Sequence, residues 1–569
     1  MPGPDEPCPS AGLAVDDSLR SKIREISYQA LLDQGIAVIS LRRSANGKWA
    51  RTSEKSDRRI TGFSGLEDGR YLRATGPAVA VFLKKTGEGY IDKLGASIIG
   101  TFANCGGGTT PWGTVLSAEE NFQNQVPEQV YADGTSFCPS ARHFMIGKED
   151  LLGVGNVFGL AGNKYGWIVE VDPADPNDYG TKHTWLGRFR HEAVGVRVEA
   201  GQPLAVYSGD DRRGGHLYKF LSSNNVRRLQ DKANSRLLES GMLYAAKFNP
   251  DGTGRWIPLS PRTPVNPDVP ANISGNVLLL PNRPAGGSLR VVNEEQTARF
   301  KEQFRSLGDL YSGNEEEQQG AILIDAHCAG NAVGATANAR PEDTKVGRDG
   351  SLFIAFTSGS AGSDGGPDKR IFKGPKGEAS YEYGFIMRLT EEENDPAALV
   401  FRWTMLSLGG EPAEGGSGFS NPDNLEIDGH GHLWMVSDIS SSALNGVVPR
   451  EMRSSNDRGV FGNNTIWFIP TSGPDAGRAH LFGIGPMECE LTGPFFTRDQ
   501  ETLFLSVQHP GEVHGIRRDK TDEARRLLLK TANGRVFEQT RQVPLGSNWP
   551  EKNAGRPPKP AVVAIRRQR

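Results

Sequence analysis

The sequence is 569 residues long and nearly neutral, with 65 basic and 68 acidic side chains and a formal charge of −3 at pH 7. This balance provides no long-range field that would select nucleic acid or an anionic membrane, so recognition of a charged substrate has to be local. The five cysteines are far apart and form no CxxC pair, which argues against a disulfide scaffold and a structural zinc site.

The N-terminal part of the chain predicts a leader followed by one helix. Residues 1–20 are acidic, contain no apolar signal core and are predicted to be disordered. Residues 21–34 have apolar side chains at helical spacing and predict a helix. A similar pattern over 294–304 predicts a solvated insertion helix. No run of about 18 apolar residues occurs, so no transmembrane segment is predicted.

From residue 35 to 569 the pattern is one of short alternating strands separated by Gly, Asp and Asn turns. Such stretches are 36–43, 165–173, 202–211, 216–222, 241–252, 349–359, 383–390, 424–438, 464–470 and 501–511. Many short strands with D-G turns predict an antiparallel all-β fold, with a β-propeller as the best fit and a sandwich as the alternative. The long Gly/Pro-rich segments 259–288, 358–380 and 408–422 are expected to wall an active site.

The segment from residue 100 to 122, GTFANCGGGTTPWGTVLSAEENF, concentrates side chains that can bind a metal. Cys105 precedes three consecutive glycines, which let the backbone turn tightly around a site, and the pair Glu119 and Glu120 follows. One thiol and one or two carboxylates therefore converge on a short segment. The alternative is that Cys105 is a small buried side chain and that the two glutamates lie on a solvated face.

Further acidic residues stand between apolar neighbours later in the chain. They are Glu192 in RFRHEAVG, Glu342 after Arg340 in NARPEDTK, Asp423 in NPDNLEIDG and Glu490 in MECELTGPFF. Burying an unpaired carboxylate is costly, so each needs a cation or a hydrogen-bond donor. His191 adjoins Glu192, but neighbouring residues of a strand face opposite sides, so His191 is expected to point away from the site.

The blocks that carry these residues resemble the PhoX alkaline phosphatases. The similar blocks are NCGGGTTPWGTVLSAEEN, FGLAGNKYGWIVEVDP, YGTKHTWLGRFRHEA, VYSGDDRRGGHLYKF, RPED, NPDNL, ECELTGP and QHPGE. They follow the order found in that family and extend from about residue 35 to 514. A match of so many ordered blocks is far more specific than any single motif.

The resemblance implies a six-bladed propeller with a central cluster of Ca²⁺ and Fe³⁺ ions that hydrolyses phosphate monoesters in phosphate scavenging. It implies that Cys105 is the thiolate bound to iron and that Arg340 binds the substrate phosphate, with Glu342 and Glu192 as further catalytic residues. The implied metal-binding carboxylates are Glu120, Glu192, Glu342, Asp423 and Glu490. Which carboxylate serves iron and which serves calcium stays open.

The ligand chemistry agrees with such ions independently of the resemblance. Carboxylates suit hard cations such as Ca²⁺ and Fe³⁺, and a thiolate adds a preference for iron. A zinc phosphatase would instead require clustered histidines. His430 and His432 are close in sequence, but they flank a hairpin turn and are interpreted as turn residues.

Family members carry a twin-arginine export signal and further propeller sequence ahead of the region that is recognisable in this chain. The resemblance therefore implies a periplasmic or extracellular protein, although this sequence begins without an export signal. We expect a propeller that is incomplete on its N-terminal side. An incomplete ring exposes strand edges, so we expect a monomer unless another chain completes the ring.

Two other functions are compatible with the sequence. The stretch 424–438 also resembles calcium-dependent lactonase and esterase propellers, which use one central divalent ion and no thiolate. The expected gap at the N-terminal side instead allows a non-catalytic propeller that acts as a binding platform.

Overall fold

The computed structural model describes most of the chain and shows a mainly β architecture. The described residues are 17–142, 144–147, 150–283, 285–440, 443–444, 462–518, 521–530 and 535–566. Most of the leader predicted over 1–20 therefore lies outside the described residues. Within them, five successive groups of strands are arranged as blades, of which the second and third form one nine-stranded sheet. The innermost strand of each blade contacts the innermost strand of the next.

Each blade begins with an inner strand near the centre of the ring and extends outwards from it. From the inner edge outwards, blade one contains Asn104–Thr109, Val115–Glu119, Ile168–Val171, Thr181–His183, Leu72–Thr75 and Ser97–Ile98. Blade two contains Gly195–Arg197, Pro203–Gly209, Leu217–Asn225, Gly241–Phe248 and Thr253–Pro258. Blade three contains Pro341–Val346, Leu352–Phe356, Phe385–Glu391 and Val400–Leu408, and its outer strand pairs with that of blade two. Blade four contains Pro422–Ile427, Leu433–Ser437, Thr465–Ile469 and His480–Ile484, and blade five contains Glu490–Phe496, Thr502–Gln508 and Ala561–Arg566.

Smaller strand pairs and the helices lie outside the blades. The pairs are Gly35–Val38 with Arg58–Thr61, Leu41–Arg43 with Trp49–Arg51, Met145–Ile146 with Leu151–Leu152, Leu278–Pro281 with Ser288–Val291, and Asp522–Lys530 with Val536–Pro544. The α-helices are Asp17–Asp33, Ala78–Phe82, Glu294–Gln303, Glu315–Ile324 and Ala326–Ala332. The 3₁₀ helices are Asn121–Asn124, Pro139–Ala141, Asn156–Phe158, Gly162–Lys164, Thr184–Leu186, Lys232–Glu239, Pro270–Asn272, Leu307–Asp309, Glu392–Asn394 and Pro412–Glu414.

The first helix and the hairpins after it lie between blade five and blade one, where a further blade would stand. Trp49 donates to Thr502 Oγ1 of blade five at 3.4 Å. On the other side, Gln34 Oε1 accepts a hydrogen bond from the backbone N–H of Ala103, next to the inner strand of blade one, at 3.1 Å. The helix begins at Asp17, ahead of the predicted segment 21–34. Nowhere in the described chain is a helix long and apolar enough to cross a membrane.

Apolar side chains between neighbouring blades form the core. Phe353 and Ile386 of blade three pack with Leu425 and Met435 of blade four. Each such side chain contributes about 1.5–3 kcal/mol when it is fully buried. These contacts fix each blade against the next.

The inner strands of blades one, three and four each contain a β-bulge. The pairing register shifts between Asn104 and Gly107, between Pro341 and Thr344, and between Pro422 and Leu425, so that each inner strand has one extra residue there. A bulge redirects the side chains within it and is common beside active sites. The bulges contain residues 105, 342 and 423.

The glycines after Cys105 allow two inner strands to approach each other closely. A Cβ atom on Gly106 would lie 2.9 Å from both Ala193 Cβ and the Glu192 carbonyl oxygen, and one on Gly108 would lie 2.3 Å from the Val194 carbonyl oxygen. Because real Cβ atoms do not approach so closely, only glycine fits at these positions. The inner strand of blade one therefore lies directly against the segment that enters blade two.

Candidate metal centre

Each blade contributes one predicted ligand at or near the start of its inner strand. Cys105 and Glu342 are the second residues of theirs, Asp423 occupies the same position in blade four, Glu490 begins the inner strand of blade five, and Glu192 shortly precedes that of blade two. Because the blades are arranged around one centre, equivalent positions meet at the same end of the ring. The fold therefore brings together side chains that are far apart in sequence.

Potential ligand atoms in the described residues form two groups that share one glutamate. The first group consists of Cys105, Glu120 and Glu192, and the second of Glu192, Glu342 and Asp423. Within each group, all the ligand atoms lie within 4.8 Å of one another. Two cations could therefore bind side by side, with the Glu192 carboxylate between them.

Asn424 positions the shared glutamate. Its Nδ2 donates to Glu192 Oε1 at 3.1 Å and to Asp423 Oδ1 at 3.2 Å. Its Oδ1 accepts a hydrogen bond from the Gly493 backbone N–H of blade five at 2.9 Å. One side chain of blade four thus connects ligands of blades two and four to the backbone of blade five.

The carboxylates of the centre repel one another. Burial followed by neighbouring negative charge raises the pKa of Glu120, Glu342 and Asp423 well above the usual range, although Arg340 partly offsets this for Glu120 and Glu342. Burial likewise raises the pKa of Glu192 to about 8. Cations placed among these groups would remove the repulsion and favour the ionised carboxylates.

The protonation state of the Cys105 thiol depends on the same balance of charge. Its side chain is exposed at the central opening, but the surrounding protein and then the carboxylates of Glu192 and Glu120 raise its pKa. Sγ donates to Glu192 Oε1 at 3.0 Å. A bound metal ion would favour the thiolate form of Cys105. Without a cation, the nearby negative charge disfavours the thiolate.

Arg340 lies beside the second group and is oriented by Asp211, a residue that the sequence did not single out. Arg340 Nε donates to Asp211 Oδ1 at 2.9 Å, and Nη2 donates to Oδ2 at 2.6 Å. Nη2 is also 3.5 Å from Glu342 Oε1, and the Arg340 side chain is 27% exposed. The guanidinium is therefore held in one plane beside the centre, with one edge engaged by the aspartate.

Glu490 lies beside the two groups and belongs to neither of them. Its Oε2 accepts hydrogen bonds from Gln508 Nε2 at 2.9 Å and from His509 Nε2 at 3.2 Å. Its charge contributes to the raised pKa of Asp438, which burial brings to about 7. The assignment of Glu490 as a metal ligand stays a prediction.

Asp211 and Asp438 could have been found from their positions. Each carboxylate follows the end of an apolar strand, Pro203–Gly209 for Asp211 and Leu433–Ser437 for Asp438. An acidic residue just after a buried strand is a signal for a site at that end of the strand. The sequence motifs alone did not point to either residue.

Two residues beside predicted ligands do not reach the centre. Glu119 forms a buried ion pair with Lys182 at 2.6 Å, so only Glu120 of the glutamate pair belongs to the ligand groups. His191 is hydrogen-bonded through Nδ1 to Ser208 Oγ at 2.9 Å, and burial lowers its pKa to about 4. Its neutral ring lies on the side away from Glu192, as strand alternation predicted.

The remaining histidine and cysteine candidates lie in turns or in the buried core. The backbone N–H groups of His430 and His432 donate to Asp428 Oδ1 in a turn, in agreement with their interpretation as turn residues. Cys328 and Cys489 are buried, and burial raises the pKa of the Cys489 thiol to about 12. The two ligand groups therefore contain a single thiol.

The donor set fits hard cations. Four carboxylates and one thiol supply the two groups, and no imidazole is among them. Carboxylate oxygen favours ions such as Ca²⁺, and the thiol favours a transition metal such as iron at the first group.

The chain is similar to known proteins both in sequence and in structure. The model of the family described as alkaline phosphatase PhoX matches residues 11–511. The structure of Pseudomonas fluorescens PhoX in complex with vanadate, a transition state analogue, superposes with a TM-score of 0.67 and 28% identity, covering 96% of this chain and 81% of that chain. A putative 6-phosphogluconolactonase from Bacteroides uniformis aligns at a TM-score of 0.24 and 9% identity over 66% of this chain and 78% of that chain, too weakly to bear on fold or function. No curated protein matches the chain.

The family match covers most of the chain, and the superposition extends the likeness to three dimensions. Together with the blades described above, it confirms the predicted all-β propeller and the resemblance carried by the sequence blocks. The chain belongs to the PhoX alkaline phosphatase family.

Proposed function

We propose that this protein hydrolyses phosphate monoesters at a centre that binds iron through Cys105, Glu120 and Glu192 and calcium through Glu192, Glu342 and Asp423. The observation that carries the proposal is the convergence of two ligand groups on one shared carboxylate. The family relative bound to vanadate, described as a transition state analogue, supports phosphoryl transfer as the class of reaction. Glu490 is proposed as a further ligand supplied by blade five.

The protein's own residues position the substrate. When bound, the cations supply charge neutralisation for the phosphate oxygens and for the developing charge of the leaving group. Arg340 binds a phosphate oxygen through the N–H groups that Asp211 does not use, and Asp211 keeps its guanidinium in plane. Asn424 holds the carboxylate of Glu192, which would be available to both cations. Glu192 and Glu342 thus act in catalysis as ligands.

Phosphate scavenging outside the cytoplasm is the proposed role, in the periplasm or the extracellular medium. The family resemblance supports this location, and broad tolerance of the ester would suit scavenging. Small phosphomonoesters are the proposed substrates, hydrolysed at alkaline pH.

The test is a reconstitution with both metals. The purified protein is loaded with Ca²⁺ and Fe³⁺, and hydrolysis of p-nitrophenyl phosphate is measured at alkaline pH with and without a chelator. We expect activity that the chelator removes and that Cys105→Ala and Glu342→Ala lose. Cys138→Ala, a change to an exposed cysteine outside the two ligand groups, is the matched control. Robust activity in the Cys105 and Glu342 variants would show that the site is wrongly assigned.

Metal analysis distinguishes this proposal from a lactonase-like function. A phosphatase of the proposed kind contains iron together with calcium, whereas a lactonase-like propeller contains one calcium and uses no thiolate. Finding a single calcium ion, no iron and hydrolysis of a lactone would favour the second function.

A further inference from the structure

One cavity is lined by residues that adjoin, in sequence, residues of the candidate metal centre. It has a volume of about 200 Å³, and its lining includes Arg188, Arg190, Arg212, Glu128, His327 and Ser288. A water molecule takes up about 30 Å³ of liquid, so this space can hold a phosphate or carboxylate group with some water. None of these lining residues belongs to the two ligand groups of the centre.

The cavity is connected to the centre by two short stretches of chain. Arg190 is two residues before Glu192, and residues at this spacing in extended chain lie on the same side. His191 between them pairs with Asp210 in an isolated bridge and turns its ring away. Arg212 directly follows Asp211, the residue that orients Arg340. Both arginines are therefore neighbours in sequence of residues that build the centre.

The three arginines of the cavity differ in their hydrogen-bond partners. Arg212 donates through Nε to Asp210 Oδ1 at 3.0 Å and through Nη2 to Glu128. Arg190 donates through Nη2 to the other oxygen of Glu128 at 2.9 Å. Arg188 donates to backbone carbonyl groups, such as that of Tyr165 at 2.8 Å. Arg190 and Arg212 thus pair with carboxylates, whereas Arg188 pairs with backbone carbonyl groups.

One further ion pair and one further carboxylate lie near the cavity. Asp325 is paired with Arg283 at 3.1 Å, and Asp364 also contributes to the lining. His327 donates through Nδ1 to Asp210 Oδ2 at 2.8 Å, which fixes its ring at the wall.

Arg190 has hydrogen-bonding capacity left over. Its Nε is enclosed and has no acceptor among the described residues. Its side chain is 20% exposed and lines the cavity. An anion that enters the cavity would supply the missing acceptor after a small rotation of the guanidinium.

We propose that this cavity binds a second anionic group, a phosphate or a carboxylate, on the leaving-group side of the substrate, with Arg190 as the main contact. This inference rests on the proposed phosphatase function and specifies its substrate class. The preferred esters carry two anionic groups, one hydrolysed at the centre and one held by Arg190. A charge-assisted contact of this kind favours such an ester by about tenfold over its singly anionic counterpart.

Two pairs of substrates test the proposal and separate the two kinds of anion. The metal-loaded protein is assayed with 3-phosphoglycerate against glycerol 3-phosphate for a carboxylate, and with adenosine 3′,5′-bisphosphate against adenosine 5′-phosphate for a phosphate. The measured quantity is the ratio of kcat/KM within each pair. Because it is a ratio, a general loss of activity in a variant cancels. We expect at least one ratio of about ten in favour of the doubly anionic ester.

Two variants locate the contact. Arg190→Gln removes the guanidinium, and Ser288→Glu adds a carboxylate at an exposed position of the lining without altering the centre. Both should bring the ratio close to one, and Arg190→Lys should restore part of it. Arg255→Gln changes an exposed arginine outside this cavity and should leave the ratio as it is.

The outcomes separate this inference from the proposed function. Hydrolysis of all four esters with ratios near one, or with ratios that Ser288→Glu and Arg190→Gln do not change, overturns the subsite and leaves the phosphatase function standing. Absence of hydrolysis of every ester and of p-nitrophenyl phosphate by the metal-loaded protein overturns both.

Discussion

The Sγ atom of Cys105 lies 3.0 Å from Oε1 of Glu192, across the contact between blade one and blade two. The two residues are 87 positions apart in the chain. Gly106 makes this approach possible, because a larger residue there would collide with the Glu192 carbonyl oxygen. The thiol and the shared carboxylate thus form the part of the centre that we assign to iron.

The first prediction concerns this thiol. Cys105→Ser should lower the iron content and lower kcat/KM for p-nitrophenyl phosphate by at least about 100-fold, because a hydroxyl is a poorer iron ligand than a thiolate. Calcium content should fall much less, since Cys105 is absent from the second ligand group. Elemental analysis and steady-state kinetics measure both effects. Equal loss of the two metals would contradict the assignment.

The second prediction concerns the bridging carboxylate. Glu192→Gln should weaken the binding of both metals because Glu192 belongs to both groups, whereas Asp423→Asn should weaken only the second. Metal content per chain after dialysis against a weak chelator measures this difference. If the two variants lose the same metals, Glu192 does not bridge.

The third prediction concerns the residue that positions the bridge. Asn424→Ala removes the hydrogen bonds to Glu192 and Asp423, and residues that orient ligands typically contribute about 10–100-fold to metal affinity or activity. We expect a loss in that range together with weaker metal binding. Asn249→Ala, which alters a turn of blade two, is the control and should retain activity. Unchanged metal affinity in Asn424→Ala would contradict the positioning role.

The fourth prediction concerns Asp211. Asp211→Asn replaces a charged acceptor by a neutral one, so the Arg340 guanidinium loses its fixed plane. We expect a rise in KM and weaker competitive inhibition by inorganic phosphate, with the metal content less affected. Steady-state kinetics with phosphate as inhibitor and metal analysis measure these effects. If Asp211→Asn binds phosphate as the parent protein does, Asp211 does not orient the phosphate-binding arginine.

The fifth prediction concerns pH and a histidine that belongs to neither ligand group. His216 is fully buried, its Nδ1 is bonded to the Thr336 carbonyl oxygen at 2.9 Å, and burial followed by the charge of His327 lowers its pKa to about 4. In the unfolded chain this histidine takes up a proton near pH 6.5, whereas in the native state it does so only near pH 4. The contribution of the neutral histidine to the free energy of unfolding is therefore complete above pH 6.5. It is lost as the pH falls towards 4, by roughly 1.4 kcal/mol per pH unit.

Urea unfolding at pH 7.5 and pH 5 measures this contribution. The free energy of unfolding should fall more in the parent protein than in His216→Asn, by roughly 2 kcal/mol. His430→Asn, which changes an exposed histidine of a turn, should behave like the parent protein. Equal losses in the parent protein and His216→Asn would show that His216 does not titrate as described.

The sequence was informative where apolar alternation dominates. Each stretch predicted as a strand overlaps a strand of the structure, as 349–359 does with Leu352–Phe356. The inner strands were missed more often, and Asn104–Thr109 reads NCGGGT without apolar alternation. These strands carry ligands and glycines in place of core side chains, so the signal that identifies a strand is weakest where the site is built.

The all-β class, the family blocks and the residue types that can bind a hard cation and iron follow from the amino-acid sequence. Which of those residues meet depends on how the chain folds. Glu119 and Glu120 are adjacent in sequence, yet one pairs with Lys182 in the core and the other joins Cys105 at the centre. Glu119 ends its strand, whereas Glu120 has helical backbone angles at the start of the following 3₁₀ helix, so the chain turns between them and the two side chains point in different directions.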